Sequence, residues 1–217
     1  MTLAVQSGRT SKARGSLTRE QIVDAAIQLV DTYGPSALST RRLGRELGVA
    51  GMAIYWHLPN MDALMDAMLE KIWDGVYENP AAEPDDWVGH MRHVMDSIRG
   101  VGLEHPQVFG LLAVRRAPER LQRMAGVNIT LLRRAGFSDE LAQYAIHTLF
   151  GHVFWYVIGE VRGYLGTTTP QGRGSRLRRG RLFGPGLDII LTGLQTLVAQ
   201  QRSSPTKLPS KRFVHET

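Results

Sequence analysis

The sequence predicts an all-α protein, with an N-terminal three-helix unit containing a helix-turn-helix ahead of a larger helical body. Three observations carry this prediction. Apolar residues recur at helical spacing along almost the whole chain, and no stretch alternates apolar and polar as a half-buried strand would. Between Thr40 and His57, the residues Leu43, Leu47 and Ile54 fall where two short helices joined by a tight turn place their inward side chains, with Gly48 as the pivot. The 217 residues, 43% of them hydrophobic, can bury a core in one large domain or two modest ones.

Residues 1–16 are Ser, Thr, Gly and the basic Arg9, Lys12 and Arg14, without periodicity. They predict a disordered basic arm, which is either a solvated tail or a segment lying along a DNA backbone or in a minor groove. The first helix opens at Thr18, whose hydroxyl can cap the Gln21 amide while the Gln21 side chain reaches back and Leu17 packs on Ile22. Ile22, Ala25, Ala26, Leu29, Val30 and Tyr33 form its apolar stripe, which packs on the helix-turn-helix. Gly34-Pro35 ends this helix and Ser39 caps the next. Beyond that helix, Gly48 adopts a left-handed backbone at little cost, Val49 drops behind the turn, and Gly44 lets the second helix cross closely. The second helix of such a motif lies in a DNA major groove.

The exposed chemistry of the unit suits that partner. Arg41 and Arg42 offer forked donors for a phosphate or for the O6 and N7 edge of guanine, and Thr40 can donate to a phosphate. The first recognition-helix positions, Ala50, Gly51, Met52 and Ala53, offer almost no base-edge hydrogen bonding and chiefly van der Waals contact to thymine methyls. Tyr55, Trp56 and His57 close the helix with aromatic bodies and polar tips, and these ten residues are the candidate DNA-binding set of a domain spanning 17–60. Trp56 has a second reading, as a core tryptophan.

Asn60 caps a helix over 61–78 with an apolar face of Leu64, Met65, Met68, Leu69, Ile72, Trp73 and Val76, and the Pro- and acid-rich stretch 79–86 ends it. In the body, 79–202, Trp87, Met91, Val94, Met95, Ile98 and Val101 form one stripe. A short apolar helix follows over 106–114 and another over 121–135, ending at Gly136. Ser138 caps the longest, which runs to about Tyr164 with Asp139 and Glu140 in the first turn where the helix dipole favours them. That helix is apolar nearly all round and is predicted to be buried on most sides. Residues 166–181, with five arginines (Arg173, Arg176, Arg178, Arg179, Arg181), read as a mobile surface loop, either solvated or a second nucleic-acid contact. The last helix carries a seam of Phe183, Leu187, Ile190, Leu194 and Leu197, widened by Leu191 and Val198, that serves either the chain's own core or a partner subunit. Residues 203–217 form a polar, basic, disordered tail.

The net charge of +6 is unevenly placed. Residues 1–60 carry seven Lys/Arg against four Asp/Glu, 61–168 ten against fourteen, and 169–217 nine against two. A basic N-terminal end implies an anionic partner there. The absence of cysteine excludes disulfides and thiolate sites and fits a reducing cytosol, and the greasiest run, Val153–Ile158 and its neighbours, is too short to span a bilayer, so no membrane partner is expected. There is no Gly-rich phosphate loop, Gly-x-Ser-x-Gly or activated nucleophile, so neither enzyme activity nor a cofactor is expected. His90 and His93 lie one turn apart without an acidic residue at matching spacing and read as a solvent-facing pair; His147, His152 and Glu160 share one helix but no tight face, so no metal is expected. The body reads instead as an effector domain, because ligand pockets are mostly apolar with a few orienting polar groups. Its candidate lining is Met91, Val94, Phe109, Leu112, His147, His152, Trp155 and Tyr156, for a small apolar or amphipathic effector.

From about Leu17 to Leu69 the chain resembles the tetracycline repressor (TetR) family of bacterial transcription regulators, with Tyr55, Trp56, His57, Asn60 and Leu64 in the family's Tyr-Trp-His, Asn and Leu positions. The resemblance resumes at Gly151-His152 and over Phe183–Leu194. It implies that Thr40 and Tyr55 bind phosphates, Arg41 reaches a base, Trp56 packs the module and His57 lies by the DNA backbone. It also implies that the helix over 61–78 links head to body and moves on ligand binding, and that the last helix joins the longest in a two-fold, four-helix dimer interface. The expected protein is a cytoplasmic, nucleoid-associated homodimeric regulator, a repressor, released from a palindromic double-stranded operator by an effector. A DNA-binding protein without an effector, and a helical enzyme or ligand-binding protein that keeps an unused head, are the alternatives. Two departures stand out: Met61 replaces a lysine frequent in the family, and Ala113 stands where a metal-binding histidine of the tetracycline–magnesium site would be, with only Glu160 near an acidic residue of that site.

Overall fold

Local capping chemistry sets the limits of the N-terminal helices. In α1, Arg19–Tyr33, the Thr18 hydroxyl accepts from the Gln21 amide at 3.2 Å while the Thr18 amide donates to the Gln21 side chain at 3.0 Å, so two orphan donors are satisfied reciprocally. The computed structural model describes residues 17–76, 79, 82–162 and 182–203, and among them all regular structure is helical. The basic arm, the Arg-rich stretch 166–181 and the tail beyond Ser203 lie outside the described residues. The chain divides into two compact units, Met1–Met65 and Asp66–Thr217.

In the first unit, α1 buries Ile22, Val23, Ala26, Ile27, Leu29 and Val30. The stripe is rotated from the expected one: Val23 and Ile27 replace Ala25, which is half-buried, and Tyr33, which is exposed. Helix α2, Thr40–Leu47, starts under the Ser39 hydroxyl, which accepts from the Arg42 amide at 3.3 Å. It stops at Gly48, whose φ of 68° is left-handed, with the Val49 amide donating to the Gly44 carbonyl at 2.9 Å. The recognition element that follows, Gly51–Trp56, is a 3-10 helix rather than an α-helix. Leu43 and Ile54 are buried between these elements, each contributing about 1.5–3 kcal/mol, while Leu47 and Val49 are half-buried. Helix α3, Met61–Ile72, is capped by the Asn60 side chain, which accepts from the Ala63 amide at 2.8 Å. Its sequence crosses the division between the units, and it tightens into a 3-10 turn at Trp73–Gly75.

The second unit continues with α4 (Trp87–Glu104), α5 (Pro106–Phe109) leading into a 3-10 turn (Gly110–Ala113), α6 (Glu119–Arg134), α7 (Asp139–Arg162) and α8 (Phe183–Ser203). Helix α7 is the hub, packing on α4, α5, α6 and α8. The α4 stripe is buried as expected, and α7 approaches α4 so closely that a Cβ on Gly102 would meet Val157 at 2.8 Å. The Ser138 hydroxyl accepts from the Leu141 amide at 3.2 Å and so caps α7, while from α8 the Gln201 side chain donates to that hydroxyl and Arg202 donates to the Ala135 carbonyl. The end of α8 thereby pins the α6–α7 corner.

Three expectations are corrected here. Helix α7 is not covered on most sides: Tyr144, His147, Thr148, Gly151 and Trp155 recur at helical spacing on an open face, with Trp155 60% exposed. The seam of α8 turns mainly inward, since Phe183, Leu187 and Leu194 join Leu191 and Val198 in the chain's own core. Ile190 is half-buried, and the large apolar residues facing outward are Ile189, 75% exposed, and Leu197. His90 is buried rather than solvent-facing, because Asn128 of α6 supplies a partner: the Asn128 side chain donates to the Met124 carbonyl, leaving its oxygen to accept from His90 Nε2 at 2.8 Å.

Candidate nucleic-acid interface and effector site

The candidate DNA-reading face rests on two backbones in contact. A Cβ on Gly44 would lie 2.8 Å from the Val49 carbonyl oxygen and 2.9 Å from the Gly51 nitrogen, and one on Gly51 would lie 2.9 Å from the Thr40 carbonyl oxygen. Only hydrogen fits at both positions, and that fixes the 3-10 element against α2. Gly51 is therefore spent on this crossing and, half-buried, brings no side chain to the outward face. Ala53 is half-buried, Ile54 is buried, and Arg42 lies with its guanidinium 4.0 Å from the ring centroid of Tyr33.

What remains outward is Arg41 and Ala50, Met52 at 71% exposure, then Tyr55, Trp56 and His57. Trp56 is 89% exposed, so it packs no core; the three-residue turn of a 3-10 helix gives Ile54 alone the inward position among 54–56. A bare indole beside an imidazole, a phenol and a guanidinium presents both apolar area and donors to an anionic surface.

The candidate effector residues separate into three places. Met91, Val94 and Phe109 are fully buried, and Leu112 is half-buried. His147 and Trp155 stand on the open face of α7 and do not join them. His152 and Tyr156 form a second cluster with Phe183: His152 stacks on Phe183 at 5.3 Å, and Tyr156 meets the same ring edge-on at 5.6 Å. Burial, followed by the nearby Glu160 carboxylate, pushes the Tyr156 phenol up, with the Arg99 guanidinium opposing.

Two features escaped the sequence. Trp73, Phe109, Phe150 and Phe154 form an aromatic cluster: Trp73 lies 6.1 Å from Phe109 and 6.2 Å from Phe150, and Phe109 stacks on Phe154 at 5.7 Å. The Trp73 ring is wholly buried, and its indole N–H has no acceptor among the described residues, a cost of about 1–3 kcal/mol. The i, i+4 spacing of Phe150 and Phe154, read on its own phase apart from Trp155, is the signal that could have found it. Arg99 grips Glu160 with two donors, at 3.0 and 2.8 Å, and the Glu160 side chain is only 8% exposed. Glu160 is thus committed to a guanidinium, and among the described residues no group of three His, Asp or Glu could hold a metal.

The second half of α3 is tied to the start of α6. Arg115 donates twice to Asp66, at 3.0 and 2.7 Å, Glu70 accepts from the amides of Glu119 and Arg120, and Arg120 donates to the Trp73 carbonyl at 3.0 Å. A cleft of about 630 Å³ beside these contacts is lined by charged and polar groups, among them Asp66, Glu70, Arg116 and Gln122. No described helix is long and apolar enough to cross a membrane.

A helix-turn-helix unit with an outward basic and aromatic face, followed by a helical body with a buried aromatic cluster, has the architecture of a bacterial transcription regulator. The profile of the family described as bacterial regulatory proteins, tetR family, matches residues 22–68. The transcriptional repressor DrrR1 of Streptomyces coeruleorubidus is 29% identical, over 86% of this chain and 80% of that protein. The class C tetracycline repressor protein of Escherichia coli is 30% identical, over 67% of this chain and 65% of the repressor. The crystal structure of the Streptomyces coelicolor TetR family protein ActR in complex with actinorhodin superposes with a TM-score of 0.69 at 28% identity, covering 85% of this chain and 99% of ActR. The chain belongs to the TetR family of transcriptional regulators.

Proposed function

We propose that the protein is a ligand-responsive repressor that binds a palindromic operator as a homodimer and leaves it when a small molecule occupies the body. The observation that carries this reading is the outward set of Arg41, Tyr55, Trp56 and His57 on a head locked by the Gly44–Gly51 crossing. Arg41 reaches a base, Thr40, Tyr55 and His57 hold phosphates, and Trp56 adds apolar area at the same surface. Two recognition elements about 34 Å apart then enter successive major grooves.

The homodimer rests on the uncovered faces of α7 and α8. Trp155 on one, and Ile189 and Leu197 with half-buried Ile190 on the other, supply the apolar area of an isologous four-helix contact. The effector enters the body near the Trp73–Phe109–Phe150–Phe154 cluster. ActR in complex with actinorhodin is the precedent for a bound small molecule, and DrrR1 and the class C tetracycline repressor are the precedents for repression. Because α3 continues into the contacts with Arg115 and α6, a ligand that binds better with those contacts rearranged shifts α3. Its effect is bounded by its differential affinity for the two states.

Fluorescence anisotropy of the chain on its own upstream DNA against a scrambled duplex, over a salt series, tests this reading. Tighter binding to the upstream DNA that falls with salt and is abolished in Arg41→Ala, with the dimer intact, is expected. No salt-sensitive binding to any duplex would overturn it.

A further inference from the structure

The first turn of the recognition element has no polar side chain to aim at a base. Gly51 is packed against the Thr40 carbonyl, Ala53 is half-buried and Ile54 is inward. Arg42, which could have reached across from α2, is stacked on Tyr33 at 4.0 Å. Ala50 and Met52 remain, and Met52 is 71% exposed. Their outward atoms are a methyl group and a thioether, which donate no hydrogen bond and accept only weakly.

On the major-groove edge of DNA, the apolar group open to such a surface is the C5-methyl of thymine; the remaining groups are donors and acceptors. Pressing Ala50 and Met52 against a bare O6, N4 or N6 would strip its water without replacing the hydrogen bond. Pressing them against a methyl removes apolar area from water on both sides. We propose that this element recognises the pyrimidine C5-methyl group rather than the base pair, through Met52 with Ala50, so that thymine and 5-methylcytosine are equivalent to it while uracil and cytosine are both poor. The inference rests on the operator-binding reading above. It has a regulatory corollary: methylation of a cytosine at the contacted position raises affinity for that site by about fourfold per methyl group buried.

The test starts from duplexes selected by the full chain out of a random library. At each thymine of the selected half-site four duplexes are compared by anisotropy at fixed salt: thymine or uracil opposite adenine, and 5-methylcytosine or cytosine opposite guanine. At one or two positions per half-site, thymine and 5-methylcytosine should bind alike. Uracil and cytosine should bind about fourfold more weakly for each methyl group buried. Met52→Ala should flatten this ordering and Met52→Leu should keep it; Met52 is exposed, so both substitutions leave the core untouched, and circular dichroism checks the fold. Replacing half-site guanines by 7-deazaguanine, which removes the N7 acceptor that Arg41 can reach, should weaken binding without altering the methyl ordering.

Affinities that sort by base pair, with thymine and uracil together, would overturn the proposal while leaving operator binding intact. A methyl ordering that survives in Met52→Ala would overturn the assignment to Met52. A selection that enriches no sequence would remove the operator-binding reading itself, and this proposal with it.

Discussion

The two units solve opposite problems. In the head, main chain rests on main chain: Gly44 and Gly51 bring α2 and the 3-10 element together, and the exposed side chains take little part in holding the shape. In the body, side chains from distant parts of the sequence hold the helices through the Arg99–Glu160 pair, the His90–Asn128 bond and the Asp66–Arg115 pair. The head can therefore vary its outward residues without changing its fold, whereas the body ties its stability to groups that a ligand could rearrange.

The contrast is tested most severely at Gly44. Gly44→Ala places a methyl 2.8 Å from a backbone oxygen that cannot swing aside, a cost at or beyond the upper end of the ~1–3 kcal/mol typical of overpacking. Loss of duplex binding and a lowered melting transition for the head are expected, with the dimer retained. A variant that still binds would show that the crossing can relax.

The next effect belongs to the body. Arg99→Met leaves the Glu160 carboxylate buried without its cation and should cost about 2–3 kcal/mol, below the full value for a buried pair because the Arg99 side chain is 24% exposed. Arg99→Met with Glu160→Met should recover most of that loss in urea melts. Equal losses in the single and double variants would mean that the packing of the Arg99 guanidinium over the Phe183 ring, 5.2 Å from its centroid, matters more than the charge.

A smaller effect appears at alkaline pH. The Tyr156 phenol is held above the usual value of about 10, so between that pH and its own pKa the folded chain keeps a proton that the unfolded chain has lost. Tyr156 therefore contributes to the decline in stability as pH rises past about 10, and Tyr156→Phe should make the decline shallower. The smallest effect on stability is predicted for Trp56→Ala, within about 0.5 kcal/mol of the unaltered protein, because the indole touches almost only solvent. Its affinity for duplex DNA should nonetheless fall by anisotropy, and an unchanged affinity would remove Trp56 from the proposed contact set.

What was legible in the sequence was chemistry that closes within a few residues. The Thr18–Gln21 box, the Ser39, Asn60 and Ser138 caps and the left-handed Gly48 all stand as their local patterns predict. What was not legible depends on which neighbour a face meets. Phe183, Leu187 and Leu194 repeat at the spacing of a subunit seam, yet the chain's own core takes them. His90 reads as surface beside His93 until Asn128, thirty-eight residues away, supplies its partner, and Glu160 looks available until Arg99 is seen to hold it from another helix. Trp56 has the composition of a core residue, and only the geometry of the 3-10 turn shows that it faces out.

The Glu70 carboxylate has a further consequence, in the order of events during folding. Helix α6 begins after Pro118, which has no side-chain oxygen to offer the first amides, and those of Glu119 and Arg120 are satisfied by Glu70 of α3. The Gln122 amide closes the first turn onto the Pro118 carbonyl at 3.1 Å, but the amides of Glu119 and Arg120 have no acceptor in their own helix and are satisfied only when the second half of α3 is in place. In a partly folded chain those two amides are left to water, so hydrogen exchange at Glu119 and Arg120 is expected to report each time α3 lets go of α6.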